Sequence, residues 1–241
     1  MSAFRVCKRR MMAWSLAGPV LAVASGYLAG TIPSADIASR LLTGGRVNLR
    51  QSGSGNPGGL NAAMILGTRA GLAVMAADIG KGAMASGIGR AIGGTIGANL
   101  GGTAAVVGHC FPIWQHFRGG KGVAASVGQC LATFPAYLPI DLAVAAGTAS
   151  RITGRRAFTA TAASSVCWVA GGLLWWRRRW PNLWGPPPTA MLPFASALSS
   201  AVILYKFATA RPPAAAPVSP DAPNSPNPDP LGRPCDESIP E

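Results

Sequence analysis

Carboxylates are scarce through the first 207 residues of this chain. Asp36, Asp78 and Asp141 are the three that occur there, and the remaining acids fall in the last stretch. Only 12% of all residues are charged, against about a quarter in soluble domains, so a water-soluble globular domain is excluded. The five cysteines, Cys7, Cys110, Cys130, Cys167 and Cys235, are scattered, odd in number and without a CxxC pair. A disulfide framework and a zinc site are therefore not expected, and apolar packing is their expected role. The net charge of +13 by itself invites a nucleic-acid partner. The basic residues, however, lie in short clusters between apolar runs (Arg5–Arg10, Arg40–Arg50, Arg177–Arg179), with no aromatic–basic recognition module. Such clustering sets the topology of a membrane protein and meets anionic head groups. Membrane lipids, and not nucleic acid, are the expected surroundings.

What the chain has in quantity is apolar and small residues. Hydrophobic residues make up 49% of it, with 31 glycines. Apolar runs cover Met11–Gly30, Ala62–Ile88, Ile92–Val107, Val123–Ala149, Ala157–Trp176 and Thr189–Phe207. A helix needs about 20 residues to span a bilayer, and Pro135 and Pro139 predict that the fourth run divides or kinks. Six or seven membrane helices follow, in an all-α bundle made compact by Gly, Ala, Ser and Thr at the helix contacts. Met11–Gly30 has the outline of a signal peptide, but the spans behind it favour an uncleaved first helix. Trp175, Trp176, Trp180 and Trp184 around the Arg177–Arg179 cluster are placed as an interfacial belt. Residues 1–207 form the expected membrane domain. The proline-rich segment 208–241 lacks apolar periodicity and is expected to be disordered.

Three polar stretches interrupt this pattern. Ser52–Asn61 reads SGSGNPGGLN. Its glycines allow backbone N–H groups to converge into an anion nest, and the alternative reading is a flexible linker. Asp78 and Lys81 lie three apart on one helix face inside an apolar run. Ionisable groups at membrane depth face a polar cavity or each other, so the pair is either a substrate contact or an internal ion pair. Gly108–Ala124 reads GHCFPIWQHFRGGKGVA. Gly119, Gly120 and Lys121 at the start of a helix form a second anion site by construction. The GxxxxGK[ST] spacing of a Walker A loop is absent.

These stretches, in this order and wording, carry a resemblance. Gly30-Thr31-Ile32-Pro33-Ser34, then GSGNPGGLN from Gly53, DIGKG from Asp78 and GHCFPIWQHFRGGKGVA from Gly108 together resemble the bacterial acyl-phosphate:glycerol-3-phosphate acyltransferases, the PlsY family. The resemblance covers about Gly26 to Ser126. It implies a small multi-pass bundle in the plasma membrane with its site facing the cytoplasm. It also implies acyl transfer from an acyl phosphate to the 1-hydroxyl of glycerol 3-phosphate, giving lysophosphatidic acid without coenzyme A, acyl carrier protein, metal or other cofactor. No obligate protein partner is expected. On the matching positions, Lys121 and His109 become the candidate catalytic residues, with His109 as holder of its loop. Ser54, Gly55, Asn56, Asn61, Asp78, Lys81, Gly119 and Gly120 become candidate substrate-binding residues.

The chain also departs from that pattern. Met64 occupies the place of an arginine, Cys110 that of an asparagine, and Lys206-Phe207-Ala208-Thr209-Ala210 replaces an Arg-His-x-x-Asn stretch. A serine that the pattern places before the penultimate span has no counterpart around Arg151–Thr161. An acyltransferase is the leading expectation. The alternatives are a catalytically impaired relative that binds lipid phosphate or a partner in the membrane, and a small transporter.

Overall fold

Glycine-poor helices cannot approach one another closely, and the helices of this chain are rich in glycine where they touch. The computed structural model describes residues 17–151 and 156–210. Met11–Leu16 of the first apolar run and residues 211–241 of the proline-rich segment lie outside the described residues. All regular structure among the described residues is helical: α1 (17–30), α2 Ser34–Thr43, α3 Gly59–Leu66, α4 Thr68–Cys110, a 3₁₀ turn Ile113–Gln115, α5 Val123–Thr133, α6 Leu138–Arg151, α7 Arg156–Arg178 and α8 Met191–Ala208.

Three stretches, Ala17–Thr43, Ala157–Arg178 and Met191–Ala208, are long and apolar enough to cross a membrane by themselves. The other expected spans are the two limbs of α4, together with α5 and α6. The α4 limbs carry Asp78, Lys81 and Arg90 among many glycines. α5 and α6 have 11 and 14 residues, short of the ~20 needed for a bilayer. The run Val123–Ala149, expected to divide or kink, is two helices: Pro135 lies in the break after Thr133, and Pro139 sits in the first turn of α6, where its missing N–H is tolerated. The reversal falls not between the expected runs Ala62–Ile88 and Ile92–Val107 but just inside the second, as a hairpin within α4. Gly93 (φ −131°, ψ 16°) and Gly94 (φ 58°, ψ −147°) leave helical geometry there, and the positive φ of Gly94 is open to glycine at little cost.

The limbs of α4 then lie against each other through Gly89 and Gly97, and α1 lies on the second limb. Gly18, Ala22, Gly26 and Gly30 recur every four residues along α1. A Cβ at Gly26 would collide with the Gly101 carbonyl, and one at Gly30 with the Ala105 carbonyl. This is the small-xxx-small packing that brings membrane helices into backbone contact. α5 docks on the first limb in the same way, Gly82 against Ala125 and Gly128 against Ile79.

A buried polar knot ties α4, α5 and α8. Gln129 Nε2 donates to Thr103 Oγ1 (3.0 Å), and Ser199 Oγ donates to Gln129 Oε1 (2.7 Å). Such interhelical bonds contribute about 0.6 kcal/mol each. Aromatics close one end of the bundle. Phe134 stacks on Tyr137 at 5.2 Å and meets Trp175 edge-on at 5.3 Å. Trp175 Nε1 donates to Pro181 O and Trp184 Nε1 to Leu131 O, as suits rings at a membrane boundary.

Candidate active site at one end of the bundle

At the opposite end meet the C-termini of α1, α4 and α8, the loop before α3 and the loop before α5. The core beneath them is small: Val106, Cys110, Ala125 and Ile203 on one side, Ala35, Leu49, Ala62 and Val74 on the other. Two adjoining spaces open above that core.

The inner one has about 20 Å³ of free volume, room for about one water. Asp78, Lys81 and His109 line it, with Thr31, Ser34, Asp36, Arg50, Gln115, Gly119 and Gly120. Lys81 Nζ lies 2.8 Å from Asp78 Oδ1 and donates to the Ile32 carbonyl at 3.1 Å. His109 Nδ1 lies 3.5 Å from the same Asp78 oxygen. The Lys81 contact is an ion pair off hydrogen-bond geometry, so Asp78 Oδ1 makes no hydrogen bond. A Cβ at Gly120 would collide with the His109 ring; the glycine there makes room for the imidazole.

The outer space is a cleft of about 940 Å³, lined by Asn48, Arg50, Gln51, Ser54, Gly55, Asn56, Pro57, Phe117, Arg118, Gly119, Lys121, Lys206, Thr209 and Ala210. Four of these are cations and none is a carboxylate. Burial holds the Lys121 ammonium below the usual lysine range by removing water from the charged form. Arg50, Pro57 and Gly119 border both spaces.

The sequence-expected residues divide between them. Ser54, Gly55, Asn56, Gly119 and Lys121 line the cleft, while Asp78, Lys81, His109, Gly119 and Gly120 line the inner cavity. Asn61 lines neither. Its Nδ2 donates to the Leu49 and Ser52 carbonyls (2.9 and 3.0 Å), and its Oδ1 accepts the Ser54 N–H (2.8 Å). It is a clamp inside the glycine loop. Two of the loop's own donors are also engaged, Gly55 N–H with Ser52 O and Gly58 N–H with Asn56 O. Gly119 and Gly120 donate to the Cys110 and His109 carbonyls at 3.1 Å each. They cap the end of α4 instead of leaving open backbone donors.

Sequence reasoning missed Asp36, Arg50 and Gln115 as a unit. Arg50 Nη2 lies 3.0 Å from Asp36 Oδ2, and its guanidinium also bonds Gln115 Oε1 and the Arg118 carbonyl. Gln115 Nε2 donates to Asp36 Oδ2 at 2.7 Å. This knot joins α2, the glycine loop and the turn before α5, and so sets where Ser54 stands relative to Lys121. A signal was present: a carboxylate in a chain with so few acids, near an apolar segment, needs a cation.

A helical membrane protein with a cation-lined cleft beside a buried Asp–Lys–His group is equipped to hold phosphorylated small molecules next to an apolar interior. Residues 20–210 match the family model described as "Glycerol-3-phosphate acyltransferase", and the chain belongs to that family. It is similar to a glycerol-3-phosphate acyltransferase of Anaeromyxobacter dehalogenans, 39% identical over 182 residues, which cover 72% of this chain and 87% of that one. With another from Exiguobacterium sibiricum it shares 43% over 110 residues, 46% of this chain; there it spans about half of the relative, 52%. Its fold is similar to a crystal structure of PlsY (YgiH), an integral membrane glycerol 3-phosphate acyltransferase, in the glycerol 3-phosphate form. The TM-score is 0.62 at 26% identity, covering 79% of this chain and 88% of that one.

Proposed function

We propose that this protein transfers an acyl group from an acyl phosphate to the 1-hydroxyl of glycerol 3-phosphate, giving lysophosphatidic acid in phospholipid synthesis. The observation that carries the reading is the outer cleft, with Arg118, Lys121 and Lys206 on its walls and no lining carboxylate, beside Arg50, which Asp36 already pairs. Both substrates carry phosphate, and both need cations that are not already neutralised. Ser54, Asn56 and Lys121 are the proposed phosphate contacts. Asp78 and Lys81 are proposed to support the glycerol-phosphate side through the inner cavity, and His109 to hold Asp78 and its loop.

The chemistry needs little more than placement. The donor is a mixed anhydride, so the hydroxyl oxygen forms the new ester bond as the bond from the acyl carbon to the phosphate oxygen breaks. The hydroxyl proton leaves on the departing phosphate. Positioning and neutralisation of charge on the leaving group are large catalytic effects in such a step. The inner cavity is too small for a substrate as it stands, so the hydroxyl is proposed to enter from the cleft. Among the described residues, basic side chains at the cleft end (Arg40, Arg46, Arg50, Arg69, Arg118, Lys121, Lys206) outnumber those at the other end (Arg90, Arg177, Arg178, Arg179), which supports a cleft that faces the cytoplasm.

The test uses purified full-length protein in detergent with palmitoyl phosphate and glycerol 3-phosphate. Phosphate and lysophosphatidate are expected to form one to one, and palmitoyl-coenzyme A is not expected to substitute. Folded protein that binds glycerol 3-phosphate but forms no product would sink the acyltransfer reading and leave the phosphate-binding one.

A further inference from the structure

Two of the cleft's lysines are held in an unusual way. Lys121 Nζ sits 4.5 Å from the centroid of the Phe207 ring, and Lys206 Nζ sits 5.1 Å from that of Phe111. Neither has a carboxylate within ion-pair distance among the described residues, where the ion pairs are Arg50–Asp36, Lys81–Asp78 and His109–Asp78. The contacts are crossed. α8 supplies the ring for the lysine before α5, and the end of α4 supplies the ring for the lysine of α8.

We infer that Lys206 is a second phosphate-binding cation beside Lys121, and that Phe207 and Phe111 are the positioning residues that aim the two ammonium groups into the cleft. The inference rests on the reading of the cleft as the phosphate site. An aromatic face attracts an ammonium through its quadrupole yet carries no net charge. It fixes the lysine without cancelling the charge that a ligand must meet. A carboxylate at the same place would do the opposite, as it does for Lys81. Both rings are anchored. Phe207 meets Phe158 of α7 edge-on at 6.2 Å. Phe111 donates its N–H to Val107 O (2.8 Å), and its carbonyl accepts the Tyr27 hydroxyl (2.9 Å).

The measurement is calorimetric titration of the full-length protein in detergent with inorganic phosphate and with glycerol 3-phosphate. Phe207→Leu is expected to raise Kd by about threefold to tenfold, the range for loss of one cation–π contact. Phe207→Tyr, which keeps ring and size, stays within about twofold of the parent. Lys206→Met raises Kd by about tenfold or more, as loss of a charge-assisted contact does. In a Lys121→Met background, Phe207→Leu is expected to add nothing. An equal loss in that background shows that the ring acts on the fold and not on Lys121, and overturns its assignment. An unchanged Kd for Lys206→Met overturns the second cation. Should Phe207→Leu not fold, Phe207→Tyr decides, since a several-fold loss with the ring retained contradicts the proposal. These readouts need no turnover. Protein that shows them and makes no lysophosphatidate keeps this inference and loses the acyltransfer reading, and active protein that lacks them does the reverse.

Discussion

Removing the carboxylate of Asp78 isolates the most deeply buried lysine or arginine among the described residues. Asp78 is 2% exposed and Lys81 5%, so neither charge is reached by bulk water. In Asp78→Ala the Lys81 ammonium keeps the Ile32 carbonyl as acceptor but loses its counter-ion, and His109 loses its partner. Breaking a buried pair from one side costs about 3–5 kcal/mol. For a chain of this size 1 kcal/mol corresponds to about 2–4 °C, so Tm is expected to fall by roughly 6–20 °C. Lys81→Met is expected to be milder, because His109 Nδ1 still stands 3.5 Å from Asp78 Oδ1. The double variant Asp78→Leu/Lys81→Met removes both charges and is expected to recover most of the lost stability, within about 2 kcal/mol of the parent, while turnover stays low. The assay is thermal unfolding in detergent with a thiol-reactive dye, for which buried Cys110 and Cys130 provide the added signal. A Tm drop below about 2 °C for Asp78→Ala, or a double variant worse than the single one, refutes the claim that the pair is a closed charge unit.

Two further outcomes follow from the site. Met64 is 66% exposed and lines neither space, so Met64→Arg is expected to leave kcat/KM within about threefold, under 1 kcal/mol of transition-state energy; a tenfold gain shows that position 64 reaches the phosphate. Lys121 is held below the usual lysine range and must be protonated to meet phosphate. Affinity for glycerol 3-phosphate is therefore full below that lowered pKa and lost as pH rises through it, on a limb that begins before free lysine would titrate. Lys121→Arg moves this limb upward, because a guanidinium stays charged, and an unmoved limb in a titration series assigns it to another group.

The helical class and the division at Pro135 were legible because proline acts locally, through φ restriction, whereas the reversal at Gly93-Gly94 falls inside the expected run Ile92–Val107 and was not. The grouping of the glycine loop with Lys121 was legible only as motif order, which the structure turns into one cleft. Asn61 shows the limit. A polar side chain in a glycine loop reads as a ligand, and only the fold reveals that all its bonds close on Leu49, Ser52 and Ser54. The donors of Gly119 and Gly120 fail in the same way, since capping of α4 by a loop ten residues further on has no local signature. Lys206 and Phe207 were read as losses relative to a pattern, because sequence spacing does not show which ring faces which ammonium.

The scarcity of acids and the character of the cleft are one fact seen at two scales. Of the three carboxylates before Phe207, Asp36 is taken by Arg50 and Gln115, and Asp78 by Lys81 and His109. Asp141 lies in the first turn of α6, next to Tyr137 of the aromatic cluster at the far end. Among the described residues none remains to neutralise Arg118, Lys121 or Lys206. In a chain of ordinary composition these side chains would meet surface carboxylates, and a phosphate would have to displace them at a cost in affinity. Here aromatic rings hold Lys121 and Lys206 instead, so the field in the cleft is positive before any ligand arrives. Introducing a carboxylate is the cleanest probe of that logic. Thr209→Asp places one on the cleft wall beside Lys206 without touching the Asp78 group or the helix contacts. It is expected to weaken phosphate binding by about tenfold, the scale of one charge-assisted contact, with Tm nearly unchanged. Thr209→Asn, the neutral isostere, is expected to leave binding within about twofold, and equal losses in the two variants would mean that shape, not charge, governs the cleft.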